Sequence, residues 1–313
     1  MTHVVEVEGL VRRFGKREAV RGISFGIAPG QALGFVGPNG AGKTTTLRAM
    51  ATLDVPDEGR VRICGHDTLE EPEEARRRIG WMPDTTGAYA HMSAAEYLDF
   101  FARAYGFRGE DRRRRVAEVV EFTEAGDLLD REMKALSKGM AQRLCLARAL
   151  IHDPDVLLLD EPAAGLDPKA RVEFKRLVRL LAADGKTLLI SSHILSELEE
   201  TCDALLFIVE GRIVHHGSAA ALKTATDAGA IVCVQVMGDP GALRAFALRN
   251  PGAEVIEPIP HGLRLRFESA EPDFLAEMLA RMVRDGIRVV EFRREERRLE
   301  DAFIDVLRAT GTQ

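Results

Sequence analysis

"GPNGAGKTT", Gly37 to Thr45, decides the fold. It follows an apolar, strand-like run ending "ALGFVG" and precedes a helix-forming one, so it marks a strand-to-helix turn. Glycines at Gly37, Gly40 and Gly42 let the backbone wrap closely around an anion, with Pro38, Asn39 and Ala41 between them. The helix that follows points its free N–H groups and positive dipole end at the same place. In this setting the pattern G-x-x-x-x-G-K-[ST] is a phosphate cradle. Lys43 reaches the β/γ oxygens, and Thr44, followed by Thr45, offers a hydroxyl to Mg²⁺.

Composition bounds the rest. At 313 residues the chain is long enough for roughly two domains. Hydrophobic content of 46% and charged content of 29% are ordinary for a soluble globular protein. A net charge of −6 argues against a general nucleic-acid binder. The opening "MTHVVEVEGLVRR" lacks the pattern of a signal peptide, and apolar runs such as "ALLFIV" fall short of the roughly 20 residues of a membrane span. Cys64, Cys145, Cys202 and Cys233 form no CxxC or Cys/His cluster and are expected to be buried, reduced small hydrophobes. His215 and His216 are neighbours in a strand-like stretch, so they point to opposite faces and do not share a metal.

Strand-like and helix-like segments alternate over the first two thirds. From Ser93 to about Gly126 the pattern is purely helical, and then "DVLLLD", "KTLLISS" and "ALLFIVEG" return as continuous apolar strands. Such strands belong to a sheet covered on both faces, which gives an α/β fold with a helical insertion. Small residues between Ser218 and Gly229 mark a boundary. Beyond it the order strand, helix, strand, strand, helix, strand is βαββαβ, a ferredoxin-like α+β arrangement closed by a last helix, "LEDAFIDVLRA". The expected domains are 1–222, with a helical subdomain over about 85–150, and 229–313.

Two further stretches carry chemistry. "VLLLDEP" places Asp160 and Glu161 at the end of an apolar strand, where an open α/β sheet presents ligand groups. Asp160 would help hold Mg²⁺, directly or through water, and Glu161 would polarise the attacking water. His193, in "LLISSHI", ends the next strand within reach of the γ-phosphate end. A second anion-seeking helix start, "ALSKGMAQRLCLARAL", begins at Ala135 and duplicates the first to no evident purpose within one chain.

Taken in order, "GPNGAGKTT", "LSKGMAQR", "VLLLDEP", "GLDP" and "SSH" resemble the ATP-binding-cassette (ABC) ATPases of membrane transporters, over roughly residues 4 to 220. "IGWMPD", "LSKGM" and "LEDAFIDVL" look closest to the subunits of bacterial drug-export-type systems. The resemblance implies a P-loop ATPase core that binds ATP and Mg²⁺ and hydrolyses ATP. Phe14 would stack on adenine, where a Tyr is commoner. Asp84 stands where the family has a Gln that links the Mg²⁺ site to the membrane subunit. Ser137 and Gly139 would complete the ATP site of a second subunit, with Asp167 of "GLDP" crossing the interface. Lys138 and Met140 replace the usual Gly and Gln; Lys138 either adds charge near the phosphates or is a solvated side chain at the interface rim.

The same resemblance implies a homodimer, or a heterodimer with a second ATPase subunit, and a membrane-spanning permease on another chain. That would hold the protein at the cytoplasmic face of the membrane, with export the expected direction and no nucleic acid involved. Competing functions are a soluble cassette ATPase acting on ribosomes or nucleic acid, and one of iron–sulfur assembly. Arg112 to Arg115 are expected to be a solvated helix face beside Glu110, Asp111 and Glu118. Trp81, Tyr89, His91 and Met92 lie where the family meets its permease, though each alone reads as local packing.

Overall fold

Fully buried runs form the middle of the first unit. β3 (Ala32–Val36), β7 (Val156–Leu159), β8 (Thr187–Ser192) and β9 (Ala204–Val209) are buried at every position. A computed structural model describes residues 3–85, 87, 89, 91–199, 201–218 and 229–295. With β6 (Ile79–Met82) and β10 (Arg212–Gly217), these strands make a six-stranded sheet of order β10-β9-β3-β8-β7-β6. Every neighbouring pair is parallel except β10 on β9.

A second, antiparallel sheet has the order β2-β1-β4-β5, from β1 (Val5–Phe14), β2 (Arg17–Ile27), β4 (Glu58–Ile63) and β5 (His66–Asp67). β1 and β2 form a hairpin that ends on the pair Phe14 and Arg17. The two sheets share one core, where the rings of Phe25 and Phe35 lie 6.1 Å apart. The sequence pattern yields these strands but not their separation into two sheets, because alternation specifies a face and leaves the partner strand open.

α1 (Lys43–Met50) follows β3 directly. α2 (Pro72–Arg78), absent from the sequence reading, buries only Ala75 and so carries no apolar period. Pro72 at its start, acids in its first turn and arginines in its last supply the helix signal instead. α3 (Ala94–Ala104) starts on a capping box in which Glu96 N donates to Ser93 Oγ and Ser93 N donates to Glu96 Oε2 at 2.8 Å.

α4 (Gly109–Phe122) carries the arginine run. Arg113, Arg114 and Arg115 pair with Glu110, Asp111 and Glu118, while Arg112 crosses to Asp99 on α3. Arg115 also donates to the carbonyls of Leu150 and Ile151, which close α5 (Lys138–Leu150). A cation there satisfies carbonyls that the helix leaves open. His152, just beyond, bonds the Ile79 carbonyl through Nε2 at 2.8 Å and stacks on Tyr105 at 4.0 Å. Burial pushes its imidazole pKa down. Trp81 packs against the core, and Tyr89 sits edge-on to Tyr97. α6 (Pro168–Ala183) and α7 (Leu195–Glu199) complete this unit's described α-helices.

Contacts divide the chain into units Met1–Ala219 and Ala220–Gln313. In the second, β11 (Ala230–Val236), α8 (Gly241–Arg249), β12 (Ala253–Ile259), β13 (Gly262–Phe267), α9 (Pro272–Arg284) and β14 (Val289–Glu295) follow in turn, and the four strands form an antiparallel sheet of order β12-β13-β11-β14. This is the expected βαββαβ arrangement. Alternate residues Val232, Val234, Leu263 and Leu265 meet Phe246, Met278 and Met282 of the helices in one core. The expected last helix from Leu299 lies outside the described residues.

All four cysteines are free, and Cys145 and Cys233 are buried. Cys64 and Cys202 are only half-buried, contrary to the sequence reading. Each follows the end of an element, β4 and α7 respectively, where the chain turns toward the surface. Among the described residues, no helix is long and apolar enough to cross a membrane.

Candidate active site

Parallel pairing gathers the sequence candidates. Lys43, Asp84, Asp160 and His193 follow β3, β6, β7 and β8, so all leave one edge of the sheet at its carboxyl ends. A cavity of about 480 Å³ at this edge is lined by Phe14, Asn39, Gly40, Gly42, Lys43, Thr44, Thr45, Asp84 and Glu161, together with Arg17 and Ala19.

The phosphate loop is tightly seated. Gly42 has φ +113°, and a Cβ there would come within 2.6 Å of the Ala19 carbonyl oxygen. Only glycine meets both conditions. Buried Lys43 folds back over the loop, its Nζ donating to the carbonyls of Gly37 (2.6 Å) and Pro38 (3.3 Å). Ala41 N donates to the Pro38 carbonyl, closing the turn.

Lys43 Nζ also lies 3.2 Å from Glu161 Oε1. That oxygen is buried and accepts no aligned hydrogen bond from any described residue. Glu161 Oε2 meets His193 Nδ1 at 2.8 Å. An ionised carboxylate only accepts, so with Glu161 in that form Nδ1 is the donor of this hydrogen bond. Glu161 holds a left-handed backbone, φ +47°, pinned by its N–H donating to Ser191 Oγ at 2.8 Å. For a residue with a side chain this conformation costs of order 1–3 kcal/mol, and such outliers concentrate at functional sites.

Asp160 is 1% exposed. Its Oδ1 accepts from Ser191 Oγ (2.7 Å) and from Thr44 Oγ1 (3.2 Å). Burial, aided by the nearby charges of Glu161 and Asp84, raises its carboxyl pKa against the opposing pull of those hydrogen bonds. The phosphate loop, Asp160, Glu161 and His193 are thus one connected network.

A family model described as ABC transporter matches residues 20–164. The Nod factor export ATP-binding protein I of Ralstonia nicotianae is 37% identical over 313 residues, covering 100% of this chain and 95% of that protein. This chain belongs to the ABC transporter ATP-binding proteins. The ABC transporter ATP-binding protein NatA of Bacillus subtilis is 39% identical over 212 residues, 66% of this chain and 86% of that protein. Among solved structures, an ABC transporter ATP-binding subunit matches with TM-score 0.65 at 28% identity, over 71% of this chain and 92% of that one. A dimeric ATP-binding cassette in a post-hydrolysis state, bound to ADP and Pi, matches with TM-score 0.62 at 26% identity, over 68% and 98%. The chain is an ATPase subunit of a transporter, as its motifs led us to expect.

In this ABC cassette Ser137, Gly139 and Asp167 do not line the ATP-site cavity. Ser137 caps α5, its exposed Oγ accepting from Met140 N at 3.3 Å, and Asp167 caps α6 by accepting from Ala170 N at 2.9 Å. The two helix starts abut, since a Cβ on Gly139 would meet the Ala170 Cβ at 2.9 Å. Lys138 lies across Gly165, where an added Cβ would meet its Nζ at 3.0 Å.

Sequence reasoning missed Ser191 and Arg17. Ser191 stands two residues before His193, at the end of β8 from which His193 leaves, so its place beside the site was readable from the strand end. Arg17 Nη2 donates to the Gly40 carbonyl at 3.2 Å. Its place in the cavity depends on the β1–β2 hairpin folding beside the phosphate loop, which no local pattern announces.

Proposed function

We propose that this cassette hydrolyses Mg-ATP at sites shared between two copies and so drives export through a membrane-spanning partner on another chain. The observation that carries this reading is the chain of contacts Thr44–Asp160–Ser191–Glu161–His193, closed by Lys43 on the phosphate loop. Thr44, Asp160 and Asp84 are hard oxygen donors of the kind Mg²⁺ takes. Among the described residues no three His, Cys, Asp or Glu side chains gather as a metal site. That suits Mg²⁺, which is commonly held by one or two carboxylates plus substrate phosphates. When bound, Mg²⁺ supplies neutralising charge at the phosphate oxygens.

In this reading Gly37 to Thr45 cradle the triphosphate and Phe14 stacks on adenine. Lys43 exchanges its carbonyl partners for phosphate oxygens. Glu161 Oε1, buried without an aligned donor, takes a proton from the attacking water. His193, hydrogen-bonded to Oε2, fixes that carboxylate and directs its free face to the γ-phosphate. Ser137 and Gly139, at the start of α5, line no part of the ATP-site cavity, and the family resemblance assigns them to the ATP held by the other copy, with Asp167 at the interface. Asp84 passes the state of the site to the membrane partner at the cytoplasmic face.

The relatives named for Nod factor export favour outward transport. Glu161→Gln tests the chemistry: we expect ATP binding to persist while turnover falls roughly 10²–10⁴-fold, the usual loss for a general base. Near-normal turnover would remove Glu161 from the mechanism.

A further inference from the structure

The ring of Phe14 is supported from behind. Arg12 holds its guanidinium over that ring, with the guanidinium carbon 4.7 Å from the centroid. Two carboxylates fix the guanidinium in place: Nη2 donates to Asp54 Oδ1 at 2.7 Å and Nη1 to Asp57 Oδ2 at 3.2 Å. Asp57 is held in turn, because its Oδ2 accepts from Arg13 N at 2.6 Å. That hydrogen bond, with the arginines around it, lowers the Asp57 carboxyl pKa, so this carboxylate is charged at neutral pH.

Phe14 lines the ATP-site cavity and Arg12 does not. With the cation over one ring face, the opposite face is the one left for a planar ligand in the cavity. Half of Phe14 is exposed (50%), and a ring at the tip of a hairpin would otherwise turn freely. A cation behind a π face has two effects. It holds the ring in one orientation, and it draws π density toward itself, so the opposite face favours an electron-rich ring. A purine is such a ring.

We propose that Arg12 is a positioning residue for the nucleotide base, acting only through Phe14 and held for that role by Asp54 and Asp57. The inference rests on the reading that Phe14 stacks on adenine. It adds a residue outside the cavity to base recognition, and it assigns this aspartate clamp the task of keeping a phenylalanine, without a tyrosine hydroxyl, in stacking position.

Inorganic tripolyphosphate carries the phosphates without the base, so the ratio of its Kd to that of ATP isolates base recognition. In the full chain, Arg12→Gln should weaken ATP about 2–10-fold, the range of a cation–π contact, while tripolyphosphate stays within about 2-fold. In a Phe14→Ala background the same change should have no further effect on ATP, the non-additivity expected of residues acting as a unit. Asp54→Asn, which loosens the clamp and keeps the cation, should shift the ratio in the same direction by less; it serves if Arg12→Gln does not fold. Equal weakening of both ligands, or additive effects with Phe14→Ala, would overturn the role of Arg12. If Phe14→Ala itself leaves the ratio unchanged, the stacking reading fails and takes this inference with it. If Phe14→Ala shifts the ratio and Arg12→Gln does not, only the inference fails.

Discussion

His193 Nδ1 stands 2.8 Å from Glu161 Oε2, and Glu161 Oε1 stands 3.2 Å from Lys43 Nζ. One carboxylate thus spans the ends of two strands and the start of a helix. Its backbone, at φ +47°, is held there by Ser191. A side chain restrained at both oxygens and at its own N–H is preorganised, which is what positioning a water for attack requires. His193→Ala removes one of the three restraints. We expect turnover to fall by roughly 10²-fold or more with a much smaller change in ATP affinity, as measured by steady-state ATPase assays beside equilibrium nucleotide binding.

The acid limit of stability should be set in part by His152. Its Nε2 bonds the Ile79 carbonyl, its Nδ1 is buried without a partner among the described residues, and burial lowers its pKa below 6.5. The unfolded chain then binds the proton more tightly than the folded one. The stabilisation is complete above the unfolded value and is lost as pH falls through the lowered folded value. His152→Phe keeps a ring against Tyr105 and removes the titration. Between pH 7.5 and 5 the wild type should lose a few degrees more in Tm than this variant, at about 2–4 °C per kcal/mol for a domain of this size. Equal losses in thermal melts at the two pH values would exclude His152 as the titrating group.

Asp84 contributes a charge to the neighbourhood of Asp160, where the family pattern has a neutral amide. Asp84→Gln should retain basal ATPase activity within about an order of magnitude, because Thr44 and Asp160 remain in place. Stimulation by a reconstituted membrane partner should change more than the basal rate does. Unchanged coupling in proteoliposomes would place the link elsewhere.

Much of this site was legible in the sequence because its chemistry sits at the ends of apolar strands. Lys43 and Asp160 follow β3 and β7, which carry no polar residue, His193 follows β8, whose polar Thr187, Ser191 and Ser192 sit at its ends, and parallel pairing brings such ends to one edge. The helical insertion and the βαββαβ order were legible from their periods. Arg12, Arg17 and α2 were not. Arg17 enters the cavity through a hairpin tip, and Arg12 matters through two aspartates more than forty residues away in the chain. Charged residues at such separations leave no periodic trace. Lys138, which the sequence left between a phosphate contact and a solvated rim, lies across Gly165 of "GLDP", a contact only the fold could supply.

In the proposed function each ATP is hydrolysed between the phosphate loop of one copy and the Ser137 helix start of another. Complementation between two inactive variants examines that shared site. Ser137→Arg and Lys43→Ala should each be inactive alone, the first retaining ATP binding in the monomer. When the two purified variants are mixed, heterodimers contain one site with intact Lys43 from one copy and intact Ser137 from the other. Mixing should restore a substantial fraction of wild-type ATPase activity, rising with total protein concentration. No recovery at concentrations where the mixed dimer forms would rule out the shared site.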